Sequence, residues 1–301
     1  MKIYAFADEA SPIIDEQIKA MKENGVDGLE IRNVDGVNIA EISDSKAKEV
    51  RKKLDNACLR VWTIGSPIGK IDIEKDDFAL HTEKFRHTLE LADILGAENI
   101  RLFSFFTPAE NRGSYKDKVI ERLGAFCEIA KGSSITLCHE NEKGIYGDIP
   151  ERCLEIHKAL PEMKAIFDPA NYVQCEVDTL KAWKMIKPYI KYLHIKDALA
   201  DGSVVSAGKG IGNVKFVLDE FEKIGGDKLK QTIVVKSGID KDLGKKIQTT
   251  VKNAKALKLS ASLQGDVVRV SGAKRDALQE CIALLRKEIE EAPLSFGNFR
   301  N

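Results

Sequence analysis

Three short stretches hold the residue types that chemistry needs. His139-Glu140-Asn141 closes a β-branched run at 135–140, Asp168-Pro169-Ala170-Asn171 closes another at 164–169, and His194-Ile195-Lys196-Asp197 ends a third at 191–196. Two carboxylates and an imidazole make a mixed N/O donor set suited to Mn²⁺, Mg²⁺, Co²⁺ or Zn²⁺. Each has an ordinary alternative. Glu140 would serve as a solvated strand end, Asp168 as a turn former before proline, and His194 as a hydrogen-bonded core histidine. Singly, the ordinary accounts prevail. In register on three successive parallel strands the three residues converge, because strand ends in a parallel barrel aim side chains at one mouth. The other histidines, His81, His87 and His157, fall on stretches of helical period, and none has a second ligand type at i+4 on an inward face.

The elements that must position these residues read as repeated βα units. From 2 to 225, short β-branched or aromatic runs alternate with amphipathic helical stretches. The runs are 2–7, 28–32, 60–65, 99–105, 135–140, 164–169 and 191–196. A helix over 78–95 is predicted from Phe78, Phe85, Leu89 and Ala92 on one face, with Gly96 placed to end it in a left-handed cap. Seven units in succession overrun an ordinary doubly wound sheet and point to a (β/α)₈ TIM barrel with its eighth unit replaced. A helix at 214–225 follows the seventh strand, so an eighth strand is due next. The chain then reads strand 231–236, helix 240–254, strand 257–263, a turn at Gln264-Gly265-Asp266, strand 267–271, helix 273–289 and a terminal SFGNF. This βαββαβ order is ferredoxin-like and wants 231–236 for itself. An open seven-stranded barrel would leave two unpaired edges. The expectation is therefore that 231–236 closes the barrel with 240–254 as its outer helix, leaving 257–301 as a small α+β appendage.

Composition agrees with two unlike parts, bounded near 1–228 and 229–301. The 301 residues balance 47 basic against 47 acidic side chains. Residues 1–228 hold 33 basic and 39 acidic, and residues 229–301 hold 14 and 8, giving formal charges of −6 and +6. An apolar content of 43% excludes a disordered or collagen-like chain. MKIYAFADEASP meets an acidic pair where a signal peptide needs an unbroken apolar stretch, and no run of about 18 apolar residues occurs, so a cytoplasmic protein without membrane association is expected. Six scattered cysteines, with no C-x-x-C pair, read as reduced and mostly buried thiols.

FADEASP, GLEIR, LCHEN, FDPAN, YLHIKDA and AGKGIGNV together resemble the xylose-isomerase-like barrels, specifically the sugar-phosphate isomerase/epimerase group, over residues 1–225. The resemblance implies one divalent metal held by a Glu ending strand five, an Asp ending strand six, a His ending strand seven and a Glu ending strand eight. Glu140, Asp168 and His194 are then the first three ligands. It implies proton transfer next to a sugar carbonyl through an enediolate, with Glu140 as the base. Lys196 or Asp197 would orient ligands or substrate oxygens, His139 and Asn171 would either support the ligands from behind or contact hydroxyls, and Arg101 and Lys209 would meet a substrate phosphate. For Lys209, in Gly208-Lys209-Gly210, a plain βα connection is the alternative. The sequence departs from the pattern at the eighth strand, where Val235-Lys236-Ser237-Gly238 puts Lys236 at the fourth ligand position. An ammonium cannot ligate a cation, so weaker metal binding and loss of one side of a two-base epimerisation are expected.

The last quarter, with KQTIVVKSGIDKDLGKKI, LQGDVVRVSGAKRDALQECIALLR and SFGNFRN, resembles the C-terminal half of YajQ-type proteins, which implies nucleotide binding, to cyclic-di-GMP or nucleic acid such as RNA. Lys241, Lys245, Lys246, Arg269, Lys274 and Arg275 are candidate phosphate contacts, with Lys274-Arg275 at a helix N-terminus in front; a solvated helix face is the alternative. The chain thus reads as a fusion joined near 226–231. Three functions follow: a metal-dependent sugar or sugar-phosphate isomerase/epimerase impaired at strand eight, a nucleotide-binding module on an inactive barrel, or a structural chimera without activity. An abasic-site nuclease is set aside because its trinuclear site needs more strand-end histidines. The sugar, the metal and the oligomeric state stay open.

Overall fold

The computed structural model describes residues 2–224, 241–264, 267–272, 274–289 and 294. The chain divides into two compact units, Met1–Gln231 and Thr232–Asn301. The main sheet of the first unit has seven strands: β1 (Tyr4–Ala5), β2 (Gly28–Ile31), β3 (Arg60–Ile64), β4 (Asn99–Leu102), β5 (Thr136–Glu140), β6 (Lys164–Phe167) and β7 (Ile190–Leu193). All are paired in parallel, in chain order. A flat sheet would hold β2 and β7 about 24 Å apart at about 4.8 Å per strand. Instead His194, just past β7, lies 3.1 Å from Glu30 on β2, so the sheet curls around a common interior.

The curl is covered by helices, chiefly α1 (Ile14–Glu23), α2 (Asp44–Asn56), α3 (Phe78–Leu95), α4 (Lys116–Ala130), α5 (Pro150–Ala159), α6 (Pro169–Gln174), α7 (Thr179–Ile186) and α8 (Val214–Ile224). Side chains alternate along each strand, so one set meets the helices and the other meets the axis. Leu29, Ile31, Ile64, Ile100 and Leu102 pack with Phe85, Leu91 and Phe126 in the main core. Helix α3 occupies the range expected, capped by the Asp77 side chain at its start and by Gly96 at φ 67° at its end. Most strands end before the expected range does; β4 ends at Leu102, ahead of Phe105 at φ 65°, and β7 ends at Leu193, leaving Lys196 beyond it and Asp197 in a short antiparallel pairing of Asp197–Ala198 with Val204–Val205. The expected eighth strand at 231–236, with Lys236, lies outside the described residues.

The second unit contains α9 (Lys241–Asn253), the antiparallel hairpin β8 (Ser260–Gln264) and β9 (Val267–Ser271), and α10 (Arg275–Glu288). Ile247 and Val251 of α9 are buried with Cys281, Leu285 and Ile289. The helix expected to flank the barrel thus places its apolar face in the core of this unit. β8 begins at Ser260 rather than 257 because a 3₁₀ turn at Lys255–Leu257 and Lys258 at φ 49° precede it. None of the six cysteines is in a disulfide; Cys127, Cys138, Cys153 and Cys281 are buried and Cys58 is exposed. No helix among the described residues is long and apolar enough to cross a membrane.

Candidate metal centre

Glu140 ends β5, Asp168 follows β6 and His194 follows β7, and all three are buried, at 4%, 1% and 8% exposure. One donor atom from each lies within 4.8 Å of the others. His194 Nδ1 is 2.8 Å from Glu140 Oε1. Asp168 Oδ1 accepts from the Asn171 backbone N–H at 2.9 Å, capping α6, and its Oδ2 is 3.1 Å from Lys196 Nζ. Lys196 Nζ also donates to Asn171 Oδ1 at 2.8 Å, and Asn171 Nδ2 donates to Glu140 Oε1 at 3.3 Å. Arg101, on β4, approaches Glu140 Oε2 at 3.3 Å through Nη1 and donates to the Gly65 carbonyl at 3.1 Å.

Burial works against charge at His194, Glu140 and Asp168, and its balance with the neighbouring charges differs at each. Burial pushes His194 down, but the Glu140 and Glu30 carboxylates outweigh it and carry the imidazole up to about 10. Burial raises Glu140, yet His194 and Arg101 hold its carboxyl below the usual range. At Asp168 burial wins over Lys196, and its carboxyl sits above its ordinary value.

The structure thus brings together Glu140, Asp168, His194, Asn171, Lys196 and Arg101 around one cavity. It does not bring the other expected contacts there. His139 is the neighbour of Glu140 on β5 and faces the opposite way, where its Nε2 is 2.9 Å from Ser104 Oγ and its ring abuts Gly147. Burial holds this imidazole down to about 3. Asp197 is consumed by its own loop. Its carboxylate accepts from the backbone N–H groups of Ala198, Gly208, Gly210 and Gly212 at 2.8–3.0 Å. Lys209, on that loop, is exposed and is not among the cavity-lining residues. In the second unit, Lys274 is exposed at the start of α10, and Arg275 is that helix's first residue.

Sequence reasoning missed Glu30. It sits on β2, only 4% exposed, in a four-residue strand that is buried throughout. Its Oε2 is 3.1 Å from His194 Nε2 and its Oε1 is 3.7 Å from Arg101 Nε. A lone acidic residue inside GLEI was the available signal. Phe6 was missed too; it sets its ring edge-on to His194, centroids 5.2 Å apart, and lies 5.2 Å from the Arg101 guanidinium.

The family model for the xylose isomerase-like TIM barrel matches residues 18–230, most of the chain. The chain belongs to this family. A second model, the YajQ-like nucleotide-binding protein, matches residues 193–300. Among solved structures, the barrel is similar to a D-tagatose 3-epimerase-like protein, with 19% identity, TM-score 0.63, and coverage of 75% of this chain and 88% of that one. It is similar to IOLI protein with a bound zinc atom, with 16% identity, TM-score 0.60, and coverage of 75% and 86%. A third is a xylose isomerase-like TIM barrel protein from Mycobacterium smegmatis in complex with magnesium, with 20% identity, TM-score 0.56, and coverage of 69% and 77%.

In this member of the xylose isomerase-like family, the buried residues themselves fit a divalent ion at three positions. Two carboxylates and one imidazole nitrogen converge within ligand reach, and carboxylate plus imidazole is a donor set that Mn²⁺, Mg²⁺, Co²⁺ and Zn²⁺ accept. Without a cation, the acidic pair is balanced by Arg101, Lys196 and a protonated His194. Asp44, His87 and Glu90 form another group with compatible spacing, but its carboxylates are exposed, an arrangement common on surfaces without an ion.

Proposed function

We propose that the first unit is a divalent-metal-dependent isomerase or epimerase acting on a sugar or sugar phosphate by proton transfer next to a carbonyl. The observation that carries this reading is the buried convergence of Glu140, Asp168 and His194 at the mouth of the sheet. Similarity to an epimerase-like barrel and to zinc- and magnesium-containing barrels supports it. A bound Mn²⁺, Mg²⁺, Co²⁺ or Zn²⁺ would polarise the substrate oxygens and stabilise enediolate charge. Glu140, Asp168 and His194 would hold it. Glu140, kept ionised by its cationic neighbours, takes the proton from the substrate carbon, and the C–H electron pair becomes the enediolate double bond. Lys196, already bonded to Asn171 and Asp168, orients a substrate oxygen beside them. Arg101 lines the same cavity but spends its charge on Glu140 and Glu30, so it positions carboxylates in preference to a substrate phosphate.

In this reading Lys236 stands in the sequence where the family carries its fourth ligand, which weakens metal binding. Ketose–aldose turnover of a panel of phosphorylated and free sugars with Mn²⁺ is expected to be low in the natural chain, raised by Lys236→Glu and abolished by Glu140→Gln. Turnover that survives Glu140→Gln contradicts the reading. The YajQ-like match supports a second activity, nucleotide binding by the C-terminal unit through Lys274 and Arg275. Titration with cyclic-di-GMP, ATP and short RNA tests it; binding is expected to weaken with salt, and no binding at low salt ends the idea.

A further inference from the structure

A carboxylate on a buried strand is costly unless paired, and a buried pair is poor evidence of added stability. Glu30 stands in this position. The rest of β2 is Gly28, Leu29 and Ile31, all buried, and the two aliphatic residues belong to the main core. What distinguishes position 30 is the partner it reaches across the interior, the His194 ring. Both ring nitrogens are engaged. Nδ1 points toward Glu140, 2.8 Å away, on the side shared with Asp168, and Nε2 points the other way, 3.1 Å from Glu30 Oε2. With Nδ1 turned to the side of Glu140 and Asp168, Nε2 is the nitrogen whose N–H the Glu30 side chain can accept. Two aromatic rings pin the imidazole: Phe6 at 5.2 Å and Tyr192 at 5.4 Å between centroids, both near perpendicular. Arg101 ties the arrangement together from behind, with Nε 3.7 Å from Glu30 Oε1 and Nη1 3.3 Å from Glu140 Oε2.

We propose that Glu30 is the positioning residue of the metal centre, fixing the His194 tautomer and ring orientation so that Nδ1 is presented to the ion held by Glu140 and Asp168. The inference rests on the metal-dependent reading given above. Carboxylates in this relation to a ligating histidine orient the ring and raise its basicity, and their loss lowers metal affinity about 10- to 100-fold. Glu30 touches neither substrate nor ion in this account.

Chelator-stripped full-length protein, its Glu30→Gln, Glu30→Ala and Glu140→Gln variants are titrated with Co²⁺, reading affinity and the visible ligand-field spectrum. The His194 tautomer is read by long-range ¹H–¹⁵N correlations in the Zn²⁺-loaded protein, and circular dichroism checks folding. Glu30→Ala is expected to lose about 10- to 100-fold in affinity, shift the spectrum and mix the tautomers. Glu30→Gln keeps an acceptor for Nε2–H and no charge, and is expected to fall between it and the natural chain, which also covers the case in which Glu30→Ala does not fold. If Glu140→Gln abolishes binding while both Glu30 variants bind within about twofold of the natural chain with an unchanged spectrum, Glu30 has no positioning role, although the metal reading stands. If the natural chain binds no Co²⁺ at saturation, the metal reading falls and this inference falls with it.

Discussion

At the scale of residues, the centre is a balance of buried charges. Glu30, Glu140 and Asp168 face Arg101, Lys196 and His194, and the imidazole is carried up to about 10 from its ordinary 6.5. A raised folded-state value means that the folded chain holds the proton more tightly than the unfolded one. The stabilisation is complete below about 6.5 and is lost as pH rises through about 10. Metal-free protein is therefore expected to melt at progressively lower temperature between these limits, and His194→Gln should flatten the profile. An unchanged profile in that variant assigns the loss to other groups. Metal loading at neutral pH should release a proton, because a ligating imidazole must surrender the one on Nδ1. Part of the centre was legible in the chain. Two carboxylates and an imidazole at three successive strand ends announced themselves by type and spacing. Glu30 did not, because its partner is 164 residues away and nothing local links them. His139 and Glu140 are adjacent, and strand alternation allows only one of them to face the axis, so choosing Glu140 as a ligand already excluded His139 from the cavity.

At the scale of elements, the strand runs were readable because β-branched residues repeat at βα spacing, and all seven formed where expected. Their ends were less so. Lys196 or Asp197 is expected from the sequence to orient ligands or substrate oxygens; past the end of β7 at Leu193, Lys196 does reach Asp168 and Asn171, while Asp197 organises the Gly208–Gly212 loop. Four backbone donors on one buried carboxylate make this loop depend on a single side chain. Asp197→Ala is expected to cost about 1.5–3 kcal/mol and to speed amide exchange at Gly208, Gly210 and Gly212 well before the sheet is affected. Exchange rates equal to those of the natural chain would show that the loop is held by something else. The helix, hairpin and helix of the tail, α9, β8, β9 and α10, were legible too, and the burial of Ile247 and Val251 with Cys281 and Leu285 follows from the apolar stripe of α9. Which unit that stripe would serve was not, since helical periodicity names a buried face without naming its partner.

At the scale of the whole molecule, the zero net charge is the sum of an acidic barrel segment and a basic tail, −6 and +6, and the change of sign falls near the division between the two compact units. The two family matches overlap over 193–230, the stretch that contains α8 and the end of β7. A metal centre held by Glu140, Asp168 and His194 and weakened by Lys236 is the central proposal, and metal stoichiometry tests it most directly. Chelator-stripped full-length protein is dialysed against Mn²⁺ or Zn²⁺ and its bound metal is measured for the natural chain, Glu140→Gln, His194→Ala and Lys236→Glu. The account predicts one ion per chain, bound more tightly in Lys236→Glu and absent from the Glu140 and His194 variants. No bound ion at saturating metal, or an ion that persists in both ligand variants, would contradict it.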